Sequence, residues 1–224
     1  MSKTRTKFIC QQCGFEAPRW LGRCPECGQW NTLVETIEQR RGPSTPRLAP
    51  QTLPQPITSI SSASFTRIPV PNNEFNRALG GGIVPGSVIL IGGDPGIGKS
   101  TLLLQISALL ARNGKPVLYV SAEESVQQIK MRAHRLDTSE DQLYVQAETS
   151  LHHILSQIER LKPELVVVDS IQAVYLDELN SSAGSISQVR ECAAALLRVA
   201  KARSIPMFIV GHVPKRSRHL ARYI

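Results

Sequence analysis

Short apolar runs alternate with amphipathic stretches along most of the chain after residue 64. Four runs are almost continuously apolar, as strands covered on both faces are, while the stretches between them repeat apolar positions every three or four residues, as helices do. The pattern therefore predicts an α/β domain in which helices cover both faces of a parallel sheet. The predicted buried strands are 88–91, 117–121, 165–169 and 207–210, with an edge-like strand at 143–146.

Boundary residues refine the predicted helices. Asn72 or Asn73 is suited to cap a short helix that three glycines end at 80–82. Ser185 and Gln188 have the spacing of a capping box at the start of a long helix. Further helices are predicted from Lys99 to about residue 113, at 124–135 and at 150–161.

Two cysteine pairs with two intervening residues stand near the start of the chain. Each pair is followed by glycine, and two such turns can direct four thiolates at one point. A disulfide across two residues would be strained, so structural zinc is favoured, and four sulfur ligands leave no open position for catalysis. The sequence therefore predicts a zinc ribbon over residues 1–41, with the ligands Cys10, Cys13, Cys24 and Cys27.

Two side-chain types in the ribbon leave more than one interpretation open. Trp20 and Trp30 are predicted to pack around the cysteine turns rather than to stack on nucleic-acid bases. Five basic residues either contact phosphates or form an ordinary solvated surface: Lys3, Arg5, Lys7, Arg19 and Arg23.

Composition divides the remainder of the chain. Residues 42–64 are rich in Pro, Ser and Thr without a hydrophobic period, which is typical of a linker, and the globular pattern occupies 65–213. The formal charge of +8 and the pI near 9.5 favour a polyanionic partner. The sequence contains neither an apolar run of membrane-spanning length nor an amino-terminal signal core, so a soluble cytoplasmic protein without a membrane partner is expected.

The segment between the first buried strand and its helix reads G-x-x-x-x-G-K-S, which is the phosphate-binding loop in its strand–loop–helix context. Its amides and the helix amino terminus would surround a polyphosphate. The lysine would bind the β- and γ-phosphates and assist catalysis, while the serine hydroxyl would hold Mg²⁺. The nucleotide-binding residues are Gly93, Asp94, Pro95, Gly96, Ile97, Gly98, Lys99, Ser100 and Thr101.

Three polar residues at predicted strand ends complete the candidate site. Asp169 ends an apolar strand, where it would orient Mg²⁺ beside Ser100 or, alternatively, cap a turn. Glu123 is the predicted water-positioning residue, although Glu124 beside it is an open alternative. His212 either contacts the γ-phosphate or is simply a histidine at the end of a strand.

Five short motifs resemble those of the RecA-type ATPases: LGGG at 79–82, PG at 85–86, GGDPG at 92–96, QVREC at 188–192 and VGHV at 210–213. The resemblance implies a RecA-like core that binds ATP and Mg²⁺ and works on single-stranded or branched DNA in recombination and repair. It also implies a homo-oligomeric ring with nucleotide between subunits, and a recombinase as a further partner. By this resemblance His212 reads the γ-phosphate, and the loop between Asp169 and Ser185 faces DNA.

The chain departs from the family pattern after Val213. A carboxy-terminal truncation is expected, because residues 214–224 form a basic tail in place of the family's further motifs. A chain of this kind that binds nucleotide and DNA without hydrolysis is therefore an alternative function. A small-molecule kinase is a weaker one, since the sequence contains no arginine-bearing lid segment.

Overall fold

A computed structural model describes residues 5–38, 54–59, 66–179 and 181–212. The chain divides into two compact units, Met1–Thr66 and Arg67–Ile224. The predicted tail at 214–224 lies outside the described residues, as does the predicted linker at 42–64 apart from 54–59. Residues 54–59 contain one turn of 3₁₀ helix, Ile57–Ser59.

The first unit is a small antiparallel sheet with two cysteine turns. Its three strands are ordered β2-β1-β3. The turns are closed by hydrogen bonds from the Gly14 amide to the Cys10 carbonyl and from the Gly28 amide to the Cys24 carbonyl, each 2.9 Å long. The strands are β1 (Arg5–Cys10), β2 (Glu16–Ala17) and β3 (Leu33–Glu38).

The second unit contains the predicted parallel sheet. Its five strands are ordered β4-β8-β7-β5-β6, and every neighbouring pair is parallel. The strand predicted to be edge-like, β6, lies at one edge of this sheet. The strands are β4 (Val88–Gly93), β5 (Val117–Ser121), β6 (Leu143–Ala147), β7 (Leu165–Asp169) and β8 (Met207–His212).

Helices cover both faces of this sheet, as the sequence pattern predicts. Alternate strand residues point to opposite faces, so Tyr119 and Val167 pack with the second and third helices, whereas Val120 and Val168 pack with the fourth and fifth. Within the described part of the chain, every helix is too short or too polar to cross a bilayer. The helices are α1 (Asn73–Ala78), α2 (Lys99–Ala111), α3 (Val126–Arg135), α4 (Leu151–Leu161) and α5 (Ile186–Arg203).

Strand register brings the predicted site residues to one edge of the sheet. Ser121 is paired with Asp169 across β5 and β7, and Gly93 is paired with His212 across β4 and β8. Because the strands run in parallel, these four residues all stand at their carboxyl ends, where ligands of open α/β sheets bind.

One helix start and one capping box differ from the prediction. Helix α3 begins at Val126 rather than at 124, and a complete capping box joins its cap Ser125 to Gln128. The box predicted at Ser185 is only half formed: its hydroxyl accepts from the Gln188 amide at 3.4 Å, but the Gln188 side chain bonds elsewhere. The buried Gln188 side chain bonds to the backbone of Leu176 and Ser181, so it does not reach back to the Ser185 backbone amide.

Candidate nucleotide and metal sites

The loop between β4 and α2 has the geometry of a phosphate cradle. Gly98 caps α2 with a φ of +96°, a left-handed conformation that glycine adopts without steric cost. Residues 95–98 are exposed, whereas Lys99 directly after them is 6% exposed. The amino terminus of a thirteen-residue helix therefore opens directly onto an accessible loop.

The Lys99 side chain folds back across this loop. Its Nζ donates to the carbonyl oxygen of Gly93 at 2.9 Å and to that of Asp94 at 2.8 Å. The ammonium group thus bonds to two neutral carbonyl oxygens of the loop that the sequence assigned to phosphate.

Tyr119, which the sequence analysis missed, lies between Asp169 and the start of α2. The Tyr119 hydroxyl donates to Asp169 Oδ2 at 2.6 Å, and the same hydroxyl lies 3.4 Å from the backbone oxygen of Ser100. Burial, together with the negative charge of Asp169, raises the pKa of the Tyr119 phenol far above its usual value. The phenol therefore stays protonated and remains a donor to the carboxylate.

Glu123 and His212 meet beside Asp169. Oε1 of Glu123 accepts a hydrogen bond from the hydroxyl of Ser170 and lies 3.3 Å from Nε2 of His212. Glu124 has a different environment, because its carboxylate pairs with Arg132 of α3. Of the two adjacent acids, Glu123 is the one that pairs with another predicted site residue, His212, among the described residues.

The histidine has further polar surroundings. Gln172 Nε2 donates to the His212 backbone oxygen at 3.3 Å. Nδ1 of His212 and Oε1 of Gln172 are buried without a hydrogen-bond partner among the described residues. Buried polar atoms of this kind usually bond to a ligand or water, which fits a nucleotide site at this edge.

Gln188 organises the loop after β7. Its Oε1 accepts from the Leu176 amide at 2.9 Å, and its Nε2 donates to the oxygens of Leu176 at 3.1 Å and Ser181 at 2.9 Å. Sequence reasoning missed this role because the same glutamine also satisfied the capping-box spacing. The loop that the family resemblance assigns to DNA is thus fastened to α5.

The four cysteines of the first unit form a ligand cluster. Their sulfur atoms all lie within 4.8 Å of one another, with Sγ–Sγ distances of 3.6 Å for Cys10–Cys27 and 3.5 Å for Cys13–Cys24. Tetrahedral zinc with bonds of about 2.3 Å separates its sulfur ligands by about 3.8 Å. The spacing fits a closed four-sulfur zinc site, as the sequence predicts.

The thiols are not equivalent in their ionisation. Burial opposes ionisation of Cys10, but hydrogen bonding to the Thr32 hydroxyl and to two backbone amides outweighs it and lowers the pKa of this thiol to about 6. Burial raises the pKa of the Cys13 thiol above its usual range. A cation bound between the sulfurs would favour the thiolate form of Cys13.

The tryptophans contradict the packing predicted for them. The ribbon core consists of Cys10, Ala17, Cys24 and Leu33, with partly buried neighbours, and neither tryptophan belongs to it. Trp20 is 55% exposed and Trp30 is 68% exposed. The prediction was wrong because the cysteines pack with Leu33 and with side chains such as Phe8 and Phe15 instead, and both indoles lie outside this cluster.

The zinc site predicts the effect of removing one ligand. Cys13→Ser should reduce bound zinc from one ion per chain to nearly none, because a hydroxyl is a poor substitute for a thiolate. Metal released from the purified protein by a thiol-modifying reagent measures this. Cys192→Ala is the control and should keep its zinc, since Cys192 is buried in the core of the second unit. Full zinc content in Cys13→Ser would contradict the assignment.

Comparisons with known proteins agree with this geometry. A family model described as "AAA domain" matches residues 54–218, and one described as "Rubredoxin metal binding domain" matches residues 8–35. The chain is 53% identical over 221 residues to DNA repair protein RadA of Bacillus subtilis (strain 168), covering 96% of this chain and 48% of that protein.

Proteins of the same name from other bacteria give similar matches. Identity is 51% over 216 residues for Listeria monocytogenes and 50% over 220 residues for Halalkalibacterium halodurans, and each match covers 96% of this chain. The chain spans about half the length of these curated relatives, at 47% and 48%. With its parallel sheet and phosphate loop, the chain belongs to the AAA domain family, and over its length it is similar to about half of DNA repair protein RadA.

Proposed function

We propose that this chain binds ATP with Mg²⁺ and hydrolyses it in response to DNA, acting on branched recombination intermediates during DNA repair. The observation that carries the proposal is the meeting of the phosphate loop, Asp169, Glu123 and His212 at the carboxyl edge of one parallel sheet. The name of the relatives supports a role in DNA repair.

Phosphate binding follows from the loop and its lysine. The backbone N–H groups of the loop, which every residue from 94 to 98 except Pro95 can provide, and the amino terminus of α2 carry partial positive charge that suits the phosphates. Lys99 would exchange the carbonyl oxygens of Gly93 and Asp94 for oxygens of the β- and γ-phosphates. Because these acceptors are charged, the exchange strengthens both hydrogen bonds.

Two residues would hold Mg²⁺. The Ser100 hydroxyl and the Asp169 carboxylate are the candidate ligands, and oxygen ligands are what this ion prefers. The ion supplies positive charge that neutralises the β- and γ-phosphates during transfer. Tyr119 binds Oδ2 of Asp169 and so fixes the direction in which the carboxylate faces.

Hydrolysis requires a group that orients water. Glu123 would accept a proton from the water whose oxygen forms the new bond to the γ-phosphorus, while the bond to the bridging oxygen breaks and ADP leaves. Ser170 and His212 both contact Oε1 of Glu123 and hold it at the edge of the sheet. Loss of the γ-phosphate would then change the contacts of His212, because this histidine pairs with Glu123.

DNA binding and assembly belong to the same proposal. The loop fastened by Gln188 is the candidate DNA-facing segment of the second unit, as the family resemblance implies. A homo-oligomeric ring with nucleotide between subunits, and contact with a recombinase, are further parts of the proposal. A chain that binds nucleotide and DNA without turnover is the alternative, and the measurements below distinguish the two.

Removal of the lysine tests nucleotide binding. Lys99→Ala should weaken the binding of a fluorescent ATP analogue about 10- to 100-fold, since hydrogen bonds from a charged group contribute about 1.5–3 kcal/mol. Lys201→Ala is the matched control, because Lys201 is an exposed lysine near the carboxyl end of α5. Equal affinity in Lys99→Ala and the control would refute the phosphate-loop assignment.

Removal of the water-orienting carboxylate tests hydrolysis. Glu123→Gln should keep analogue affinity within about twofold but lower DNA-stimulated phosphate release about 10²- to 10⁴-fold, as expected for loss of a general base. Glu159→Gln changes an exposed glutamate of α4 and should leave both unchanged. If the unaltered chain binds the analogue but releases no phosphate with any DNA, the binding-module alternative is correct.

Loss of the hydrogen bond from Tyr119 to Asp169 should change the Mg²⁺ dependence of nucleotide binding. Tyr119→Phe removes one hydroxyl and should raise the Mg²⁺ concentration needed for half-maximal nucleotide binding about 3- to 10-fold, a change of about 0.7–1.4 kcal/mol. Affinity at saturating Mg²⁺ should change little. A lower thermal midpoint with unchanged Mg²⁺ dependence would mean that Tyr119 is only a packing residue.

A further inference from the structure

Both tryptophans of the chain lie exposed on the ribbon. Trp20 precedes the second cysteine turn and Trp30 follows it, at 55% and 68% exposure. Phe8 and Phe15, by contrast, pack against the ribbon core. Indoles are among the largest apolar side chains, and leaving two of them in water forgoes burial that would stabilise a small unit.

The two indoles flank one glycine. A Cβ atom at Gly22 would lie 3.4 Å from Cη2 of Trp20 and 3.9 Å from Cζ3 of Trp30. The backbone does not require glycine there, because Gly22 is not among the glycines with positive φ. Because Gly22 has no side chain, the space between the two rings stays open.

One indole has an arginine over its ring, and the other directly follows an exposed arginine in the sequence. The Arg23 guanidinium lies over the Trp30 ring, 5.8 Å from its centroid, and its Nε donates to the Gly28 oxygen at 2.9 Å. Arg19 is the exposed neighbour of Trp20 in sequence. Neither arginine forms an ion pair within the described residues, whereas Lys7 elsewhere on the ribbon pairs with Glu16.

We propose that Trp20, Trp30, Arg19 and Arg23 form a stacking surface for single-stranded DNA. Aromatic rings stack on bases of any sequence, and guanidinium groups beside them attract the phosphates. A protein partner would also bury the apolar rings. It would gain less than a polyanion does from two arginines that form no ion pair within the described residues. The inference rests on the proposed function only in that its ligand is DNA; it adds a binding surface in the unit that lacks the ATP site.

Tryptophan fluorescence reports directly on this surface, because the chain has no tryptophan elsewhere. An unlabelled oligothymidylate of about 20 nucleotides is longer than the site of a single small domain and should quench the emission of the full chain. In parallel, fluorescence anisotropy of the labelled oligonucleotide measures binding anywhere on the protein. Quenching and anisotropy should follow the same titration curve.

Substitution then tests each ring. Trp20→Ala and Trp30→Ala should each weaken oligonucleotide binding about tenfold at fixed salt, whereas Trp30→Phe should recover most of the affinity because a smaller ring still stacks. Val34→Ala, at an exposed apolar position on β3, is the matched control and should bind normally. Zinc content of one ion per chain verifies that each variant is folded.

The outcomes separate this inference from the proposed function. If anisotropy rises while tryptophan emission and the affinities of both alanine variants stay unchanged, DNA binds elsewhere and the stacking surface is refuted, which leaves that face to a protein partner. If anisotropy does not rise even at low salt, the DNA part of the proposed function fails together with the inference. Nucleotide binding through Lys99 is unaffected by either result.

Discussion

Parallel strand pairing is the constraint on which the candidate ATP site depends. The paired register of β4 with β8 and of β5 with β7 brings Gly93, Ser121, Asp169 and His212 to one edge, although they are separated by up to about half the chain in sequence. A register shift of one residue in any of these strands would turn its side chains to the opposite face. The buried apolar residues that alternate between the two faces therefore also fix the positions of the polar groups at the strand ends.

Side-chain hydrogen bonds and ion pairs then determine how each polar group at this edge is oriented. Tyr119 orients Asp169 from within the core, while Ser170 and His212 hold Glu123. Arg132 draws Glu124 away from the same edge. Two adjacent glutamates of identical chemistry thus acquire different surroundings, because Glu123 contacts Ser170 and His212 at the ends of β7 and β8, whereas Glu124 pairs with Arg132 of α3.

Much of this architecture could be predicted from the sequence. Continuous apolar runs identified four strands of the second unit, the fifth was predicted as an edge-like strand, and the glycine–lysine–serine spacing identified the loop. Pattern reasoning failed where one side chain had a choice of partners, as with Gln188, whose amide bonds to the loop rather than to its own helix cap. It failed also at Trp20 and Trp30, because large apolar side chains are ordinarily buried, and the sequence does not reveal that other apolar residues form the ribbon core.

The folded-back Lys99 has a consequence for what the loop can discriminate. Its ammonium group already has two oxygen acceptors, so an incoming ligand has to displace internal hydrogen bonds and gains only the difference between the new acceptors and the old. A neutral or weakly charged molecule offers no advantage over backbone carbonyls, whereas a multiply charged phosphate chain does. We therefore expect small monovalent anions to bind weakly at this loop, because they would compete with the two backbone carbonyl oxygens for the Lys99 ammonium group.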